Sequence, residues 1–521
     1  METREYDCVV VGGGSAGCVV ANRLCRFSGG SVCLIEGGPD FGPADGGRWP
    51  RDLRDGNAVP RAHDWGYFEE RQCGASVQAP RGKVIGGCSA VNHCAATWGL
   101  PADYDRWAQA GNPGWSYHEL RPLISELERA ADGAASTYRG NRGALMTRVC
   151  SGDELANWQR WFRDSAHAAG FSAFTDLSSP DPVEGVAPLH LNADGATRCN
   201  SAFAFLDPVR GRSNLTILAD TLADRLIVHA GRAHGLLCTS TRGALELRAR
   251  RFVLCAGTYG SPAILLRSGV GPAHQLRDLG IAVEVDLPGV GQNLLEQPGA
   301  MVKFELTPLG RTALAEDVRQ SKRLHAQVML RGRSLHGDSG PDFHIIPHQE
   351  ADEDGSVSSA LLAFNLAPRS RGRVSVRGKD PALPPRIETR LLTDPEGHDL
   401  AVVTCAVQVA RRLARQEALR AAIAAEVIPG EGCSDDQALR AHLQREVVSY
   451  CHAAGTCKMG PVADRSAVVD ASGRVHGLGN VFVADAAIMP ELPRANPNLT
   501  CMLIGLRVAM GLDEGPPHLG T

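Results

Sequence analysis

The sequence predicts an α/β fold in which a Rossmann-like dinucleotide-binding domain is joined to a second domain built on an antiparallel sheet plus helices. Three observations point there. The first 36 residues hold a strand, a glycine-rich turn, a helix and a second strand in immediate succession. Two more near-continuous apolar runs, at 251–257 and 480–486, read as later strands of one buried sheet. Between about 300 and 450 the pattern changes to short alternating strands followed by amphipathic helices.

The opening YDCVVVG has the unbroken apolar character of a strand covered on both faces. SAGCVVANRLCRF carries apolar residues at helical spacing, and SVCLIE is the next strand, ending at Glu36. RFVLCAG and NVFVADA finish in small residues, as strands leading into turns do. Segments rich in Trp and Ala at 150–215 read as helical. KFEL, HAQVML, PDFHII and RVSVRG read as strands, and 396–446 as two amphipathic helices. Loops rich in Gly, Pro and Asp at 37–61, 132–143 and 349–358 are expected surface insertions. The expected division is a discontinuous nucleotide-binding domain, 1–150 with 210–300 and 455–521, and a second domain, 151–209 with 301–454.

Composition narrows the function. The 521 residues are 43% hydrophobic and 21% charged, with a net charge of -4, as in an ordinary globular chain of more than one core. No basic stripe offers a track for nucleic acid. No apolar run reaches the roughly 18 residues a membrane span needs. The chain enters its first strand within a few residues, leaving no room for a signal peptide. Its 16 cysteines are scattered through apolar segments, as buried free thiols in a reducing compartment would be, so a cytoplasmic location is expected. No Cys/His spacing suggests a metal site.

Gly12, Gly14 and Gly17 occupy the G-x-G-x-x-G positions between the first strand and helix. Gly12 permits the tight turn, Gly14 a close approach of backbone to a pyrophosphate, and Gly17 the packing of helix on strand. The helix N-terminus favours the diphosphate charge, and Glu36 can accept hydrogen bonds from ribose hydroxyls while repelling a 2′-phosphate. This unit does not distinguish NAD from FAD.

Residues 81–99, RGKVIGGCSAVNHCAATWG, do. This stretch resembles the first signature of the glucose–methanol–choline (GMC) oxidoreductase family. PADYDRWAQAGNPGWSYHELRPLISELE, GTYGSPAILLRSGVGP, GVGQNLLEQP, SRGRVSVRG, HAAGTCKMG and VADAAIMPELPRANPNLTCMLIG follow in the family's order, so the resemblance runs from residue 6 to about 511. It is strongest to the choline oxidase and alcohol oxidase type. It implies the two-domain architecture of GMC enzymes and of p-hydroxybenzoate hydroxylase, and FAD as cofactor. The flavin contacts it implies fall on Gly12, Gly14, Ser15, Ala16, Gly17, Glu36, Val84, Gly87, Asn92, Cys94, Ala95, Asp485, Ala486 and Pro497. Val84, Cys94 and Ala95 read equally well as packing residues of a glycine-rich loop.

The resemblance further implies that His452 and Asn496 face the reactive edge of the flavin. The chemistry suits the residue types. Oxidising an alcohol removes the hydroxyl proton and transfers the α-hydrogen as hydride to flavin N5. Imidazole, with an ordinary pKa near 6.5, can take that proton near neutrality, and the Asn amide can hold the substrate oxygen as charge develops on it. Asn496 also fits a helix N-cap, a role Asn498 could take instead. The helix beginning near Asn498 is expected to point its N-terminus at the flavin.

Departures from the family pattern concern the pocket. The position where choline oxidases carry a flavin-linked His is Val91, so FAD is expected to be non-covalent. His93 stands where small residues are common, and reads either as a pocket residue or as a solvated loop histidine. Glu296-Gln297-Pro298 is followed by Gly299 rather than by the carboxylate that pairs with trimethylammonium. Tyr450 and Cys451 precede His452, and His344 and His348 lie on an expected strand; His344, Tyr450 and Cys451 join His93 as candidate pocket residues.

The expected function is therefore FAD-dependent oxidation of a small alcohol, a sugar or natural-product hydroxyl among the candidates, with oxygen or another electron acceptor. Two alternatives are a flavin-containing lyase of the hydroxynitrile lyase kind and an NAD-linked dehydrogenase.

Overall fold

The computed structural model describes residues 1–71, 74–131, 138–150, 152–337, 340–351 and 357–513. The insertions expected at 132–143 and 349–358 lie partly outside them. Strand Glu2–Val11 is central to a seven-stranded sheet. It runs parallel to Val32–Ile35 on one side and Gly243–Leu254 on the other, with Val9 opposite both Cys33 and Phe252. Leu215–Leu218 extends the sheet beyond Val32–Ile35, and Val481–Val483 pairs in parallel with the end of Gly243–Leu254. The four apolar runs of the sequence are thus neighbours, and Val9, Val10, Leu34 and Val253 are fully buried, as double coverage of a parallel sheet requires. The antiparallel strands Thr221–His229 and Arg232–Ser240 complete one edge. Only one of their faces is buried, so they lack the continuous apolar signal.

Helix Ser15–Phe27 follows the first glycine turn and buries Cys18, Val19, Val20 and Leu24. Helix Asn498–Asp513 crosses it. A Cβ on Gly505 would come within 2.8 Å of the Ala16 carbonyl oxygen, so glycine is what lets the two backbones touch. The crossing brings the start of the C-terminal helix to the glycine loop, where Ser15 Oγ donates to Asn498 Oδ1 at 2.8 Å.

A second sheet is antiparallel throughout, in the order Ile423–Ile428, Pro298–Leu306, Val357–Asn365, Phe343–Ala351, Val328–Gly332, Gly185–Pro188. Helices His398–Ala414 and Asn157–Ala168 pack on it, burying Val402, Val403, Ala406, Trp158 and Phe162.

The elements differ from expectation in three places. The two helices expected over 396–446 are three, His398–Ala414, Glu417–Ala422 and Asp436–Glu446, and between the last two the segment Ile423–Ile428 is an edge strand. Its β-branched Ile423, Val427 and Ile428 suit the pairing to Pro298–Leu306. Arg373–Ser375 pairs with Arg386–Glu388 in a separate four-stranded sheet with Phe68–Glu70 and Ser76–Gln78, not with the large antiparallel sheet. The helical region 150–215 holds one α-helix, Asn157–Ala168, with a π-turn at Ala202–Leu206. That turn packs against helix Ser15–Phe27, where Asn22 Nδ2 donates to Phe205 O at 2.6 Å.

Candidate active site

The first glycine loop is built to receive a phosphate. Gly14 caps helix Ser15–Phe27 with no side-chain hydrogen bond, and the first turn carries no acidic residue. A Cβ at Gly12 would lie 2.4 Å from Cys255 O and one at Gly17 1.8 Å from Gly12 O, so both positions exclude any side chain. Glu36 is buried. Its Oε2 accepts from Gly13 N at 2.9 Å and its Oε1 from Gly38 N at 3.0 Å, and burial pushes its carboxyl up to about 7.

The second glycine pair is stitched to the first loop. Gly86 N donates to Gly13 O at 2.7 Å, and a Cβ on Gly87 would sit 2.6 Å from Gly14 Cα. Gly87 has φ 52°, a left-handed conformation suited to glycine. A third strand of contact comes from Ser201, whose Oγ reaches Ser89 Oγ at 2.9 Å and Gly14 O at 3.3 Å. These bare backbones, the uncapped helix start, the Glu36 carboxyl and the buried, unpartnered Asn498 Nδ2 form a cradle that suits the diphosphate and ribose of FAD.

Other residues of the expected flavin set are placed variously. Val84 is fully buried. Asn92 Oδ1 accepts from Cys94 N at 3.0 Å and from Arg198 Nη1 at 3.1 Å. Cys94 and Ala95 pack into the core of the antiparallel sheet. Both carboxylate oxygens of Asp485 are engaged by protein, from Ser261 Oγ at 2.6 Å, Gly257 N at 2.8 Å and Ala487 N at 2.7 Å. Ala486 O accepts from Gly455 N at 3.1 Å, and Pro497 O from Cys501 N at 2.8 Å.

His452 and Asn496 do come together. The segment after strand Pro298–Leu306's partner Val448–Ser449 zips along 295–299: Tyr450 N donates to Gln297 O at 3.1 Å, and Leu295 and Ala454 exchange both backbone bonds at 2.9 and 3.0 Å. Cys451, exposed and at φ 63°, puts a left-handed kink in this segment. The result is that Tyr450 and His452 lie on one side, ring centroids 4.0 Å apart. Tyr450 is itself stacked on Phe364 at 3.8 Å and 4°.

Hydrogen bonds then orient the His452, Gln297 and Asn496 side chains. Gln297 Nε2 donates to Leu366 O at 3.1 Å and Pro493 O at 3.5 Å, which leaves Oε1 to accept from His452 Nδ1 at 2.7 Å. His452 therefore carries its hydrogen on Nδ1 and presents the Nε2 lone pair. Thr97 Oγ1 donates to Asn496 Oδ1 and accepts from Asn496 N, both at 3.0 Å, which turns Nδ2 toward Tyr450 Oη and His452 Nε2, each 3.4 Å away. Asn496 is not a side-chain helix cap, and Asn498 is bonded to Ser15. Burial, then the Arg81 charge and the nearby His344 and His93, hold His452 well below the ordinary imidazole range. Glu296 Oε1 accepts from His452 N at 2.9 Å, and burial pushes this carboxyl up to about 7.

His344 is buried beside this centre with its Nδ1 unpartnered, and burial pushes it down to about 3. His93 meets His325 edge to face at 4.8 Å and is among the groups that act on His452. Gln297, Thr97 and Phe364 are functional neighbours that sequence reasoning did not mark. Gln297 follows the noted Glu296 and Thr97 lies within the 81–99 stretch, but nothing in either segment, or around Phe364, marks the residue itself.

A two-glycine-loop dinucleotide cradle coupled to a neutral His–Asn centre defines an FAD-dependent oxidoreductase acting on alcohols. The GMC oxidoreductase profiles match residues 6–299 in the N-terminal part and 368–505 in the C-terminal part, and the chain belongs to this family. It is 32% identical to choline oxidase of Arthrobacter globiformis, over 98% of this chain and 94% of that one. It is 31% identical to 5-(hydroxymethyl)furfural oxidase of Methylovorus sp. (strain MP688), over 97% and 98%. Among solved structures, pyridoxine 4-oxidase from Mesorbium loti superposes with a TM-score of 0.87 at 29% identity, covering 98% of this chain and 99% of that one. Among the described residues no helix is long and apolar enough to cross a membrane, and no cluster could hold a metal ion.

Proposed function

We propose that the chain is an oxidase of primary alcohols borne on flat rings, with His452 as the base, Asn496 as the holder of the substrate oxygen and dioxygen as the electron acceptor. The observation that carries this reading is the Gln297–His452–Asn496 chain of hydrogen bonds, with its fixed imidazole tautomer. The two 3.4 Å contacts from Asn496 Nδ2 are long, so an entering hydroxyl can replace them. Its oxygen then accepts from Asn496 Nδ2 while its proton passes to His452 Nε2. Gln297 remains the acceptor for Nδ1 and spreads the imidazolium charge. FAD, held by the Gly12–Gly17 loop, Gly86-Gly87 and Glu36, supplies the acceptor for the α-hydrogen as hydride. The buried Thr97 and Glu296 keep Asn496 and the His452 backbone in place while water is excluded.

The substrate class rests on the walls. Gly299 stands where a Cβ would meet Phe364 Cδ1 at 2.2 Å, so the Phe364 ring takes the space of any side chain there. Nothing at that position can pair with a quaternary ammonium group, which argues against choline despite the relatives that bear its name. The Tyr450 ring, stacked on the buried Phe364 and packed beside His452, instead gives the centre an aromatic flank, suited to aromatic alcohols of the kind named in the furfural and pyridoxine relatives. That the relatives are named oxidases supports dioxygen. The described cysteines are free thiols, in keeping with the expected cytoplasmic location. We read the parallel-sheet segments 1–150, 210–300 and 455–521 as the FAD-binding unit and 151–209 with 301–454 as the substrate unit, the turn at 202–206 siding with the former.

Anaerobic mixing with benzyl alcohol tests the reading. Bleaching of the flavin band, followed on aeration by recovery of colour and one hydrogen peroxide per aldehyde, is expected. Product formed with the flavin unbleached would point to a lyase and overturn it.

A further inference from the structure

Beyond the reaction centre, strand Phe343–Ala351 carries His344, His348 and Glu350 on one face, because alternate strand residues share a face. His344 lies beside the base. His348 instead meets two other imidazoles, His325 at 5.7 Å and His93 at 6.1 Å, and those two meet each other at 4.8 Å and 86°. His325 is 5% exposed and its Nε2 has no hydrogen-bond partner. A buried polar nitrogen left unpaired costs free energy unless a ligand supplies its partner.

Two buried guanidiniums stand behind this cluster. Arg323 is buried behind it and donates to the backbone carbonyls of His325, at 2.8 Å, and of His93 and Gly56. Arg198, fully buried, donates to Asn92 O and Oδ1, Ala58 O and Asp55 O. Among the described residues neither guanidinium forms an ion pair with a carboxylate, so carbonyl dipoles, with Asp55 acting on Arg323 from further off, balance the two buried charges. Glu350 is the acidic group nearby, 3.7 Å from His348 Nε2, and its carboxylate is engaged by Arg61 at 3.0 Å. Burial and these cations push His93 down to about 3 and His325 well below the imidazole range. His93 and His325 thus stand as neutral imidazoles in front of two buried guanidiniums.

We infer that His93, His325 and His348 form an oxyanion subsite of the substrate cleft, and that the alcohol oxidised at His452 carries a carboxylate. The inference rests on the proposed alcohol oxidation at His452. It adds the second recognition element: the ring lies along Tyr450, and the carboxylate takes hydrogen bonds from the imidazoles. His93 links the two, since its ring meets both His325 and His348 and it is among the groups that act on His452. A cation in the same place would face Arg323 and Arg198.

The holoenzyme tests this in two independent ways. Benzoate, which cannot be oxidised, is titrated against benzamide with the flavin absorption spectrum as readout. Benzoate is expected to perturb the spectrum at concentrations at least about tenfold lower than benzamide, the worth of one charge-assisted hydrogen bond. Equal binding of the two overturns the subsite. Turnover of 4-(hydroxymethyl)benzoate is then compared with that of its methyl ester. A kcat/KM ratio favouring the carboxylate is expected, and His348→Leu and His93→Ser should each reduce that ratio about tenfold. A ratio unchanged in both variants overturns the assignment. Tighter binding of benzenephosphonate than of benzoate would keep an oxyanion subsite but overturn the carboxylate. Failure of every alcohol to bleach the flavin would instead refute the oxidase reading, while benzoate binding would still report on the cluster.

Discussion

His452 Nδ1 lies 2.7 Å from Gln297 Oε1, and no other orientation of that amide satisfies its neighbours. Because Gln297 Nε2 is spent on the Leu366 and Pro493 carbonyls, the oxygen must face the imidazole. Gln297→Leu is expected to lower kcat about tenfold, the value of one lost hydrogen bond at the reaction centre, with flavin content unchanged. Gln297→Glu places a negative charge against Nδ1, which raises the His452 pKa and moves the acid limb of the pH–kcat/KM profile upward. Steady-state profiles of the two variants beside the wild type check both. A Glu variant with an unmoved limb would refute the pairing.

The depressed pKa of His452 has its own consequence. Its folded pKa lies below 6.5, so the imidazole is neutral throughout the neutral range and, as the proposed base, becomes unusable only when acid protonates it. The acid limb of kcat/KM in the wild type is expected below pH 6.5, and a limb above pH 7 would contradict the burial argument. His452→Ala should lose about 10²–10⁴-fold in kcat while the protein stays yellow.

Much of this was legible in the sequence, for reasons of range. The first strand–turn–helix–strand and Glu36 follow from local periodicity and glycine placement, and the His452 and Asn496 motifs from resemblance. Gln297, Thr97 and Phe364 were not legible, because their roles depend on register. Gln297 meets His452 only because 295–299 lies antiparallel to 450–454, and Phe364 reaches Tyr450 only because Gly299 lets its ring lie flat. The His93–His325–His348 cluster gathers from three separated segments in the same way. Strand Ile423–Ile428 was hidden by its shortness and by following helix Glu417–Ala422 without a break.

Val91 stands next to Asn92 in the second glycine segment, and a valine side chain has no atom that can bond to the flavin ring. FAD is accordingly expected in the supernatant after precipitation with trichloroacetic acid, with a colourless pellet. Glu36→Ala should weaken FAD binding about tenfold or more, since it removes both the ribose acceptor and the partner of Gly13 N. Equilibrium dialysis of the apoprotein measures that.

Gly299 is where the pocket and the fold meet. Its missing Cβ leaves 2.2 Å to Phe364 Cδ1 and 2.5 Å to Ala363 O, so alanine must displace the ring or the strand. Overpacking of this kind costs about 1–3 kcal/mol. Gly299→Ala is expected to lower Tm and to raise KM for aromatic alcohols as the Phe364–Tyr450 stack shifts. Restoration of KM in Gly299→Ala/Phe364→Leu, where a smaller side chain makes room, would separate the steric cause from a general loss of folding.

Glu296 makes the stability of the holoenzyme fall with rising pH. Its Oε1 takes two backbone N–H bonds, from Gln297 and His452, but Oε2 is buried without a partner, and burial pushes the carboxyl from 4.5 up to about 7 against the opposing charge of Arg81. Between those two values the folded chain holds a proton that the unfolded chain releases. Stability is therefore greatest below pH 4.5 as far as this group is concerned, and declines as pH rises toward 7, by up to about 3 kcal/mol. Glu36 shifts in the same direction, so the wild type alone does not isolate Glu296. Glu296→Gln does: it keeps the shape and the acceptor for the His452 N–H and removes the ionisation. Its Tm is expected to fall less than that of the wild type between pH 5 and 7.5, the two curves diverging most near neutrality. Parallel curves would mean that Glu296 is ionised at ordinary pH, and that a negative charge, rather than a neutral carboxyl, stands behind the His452 backbone.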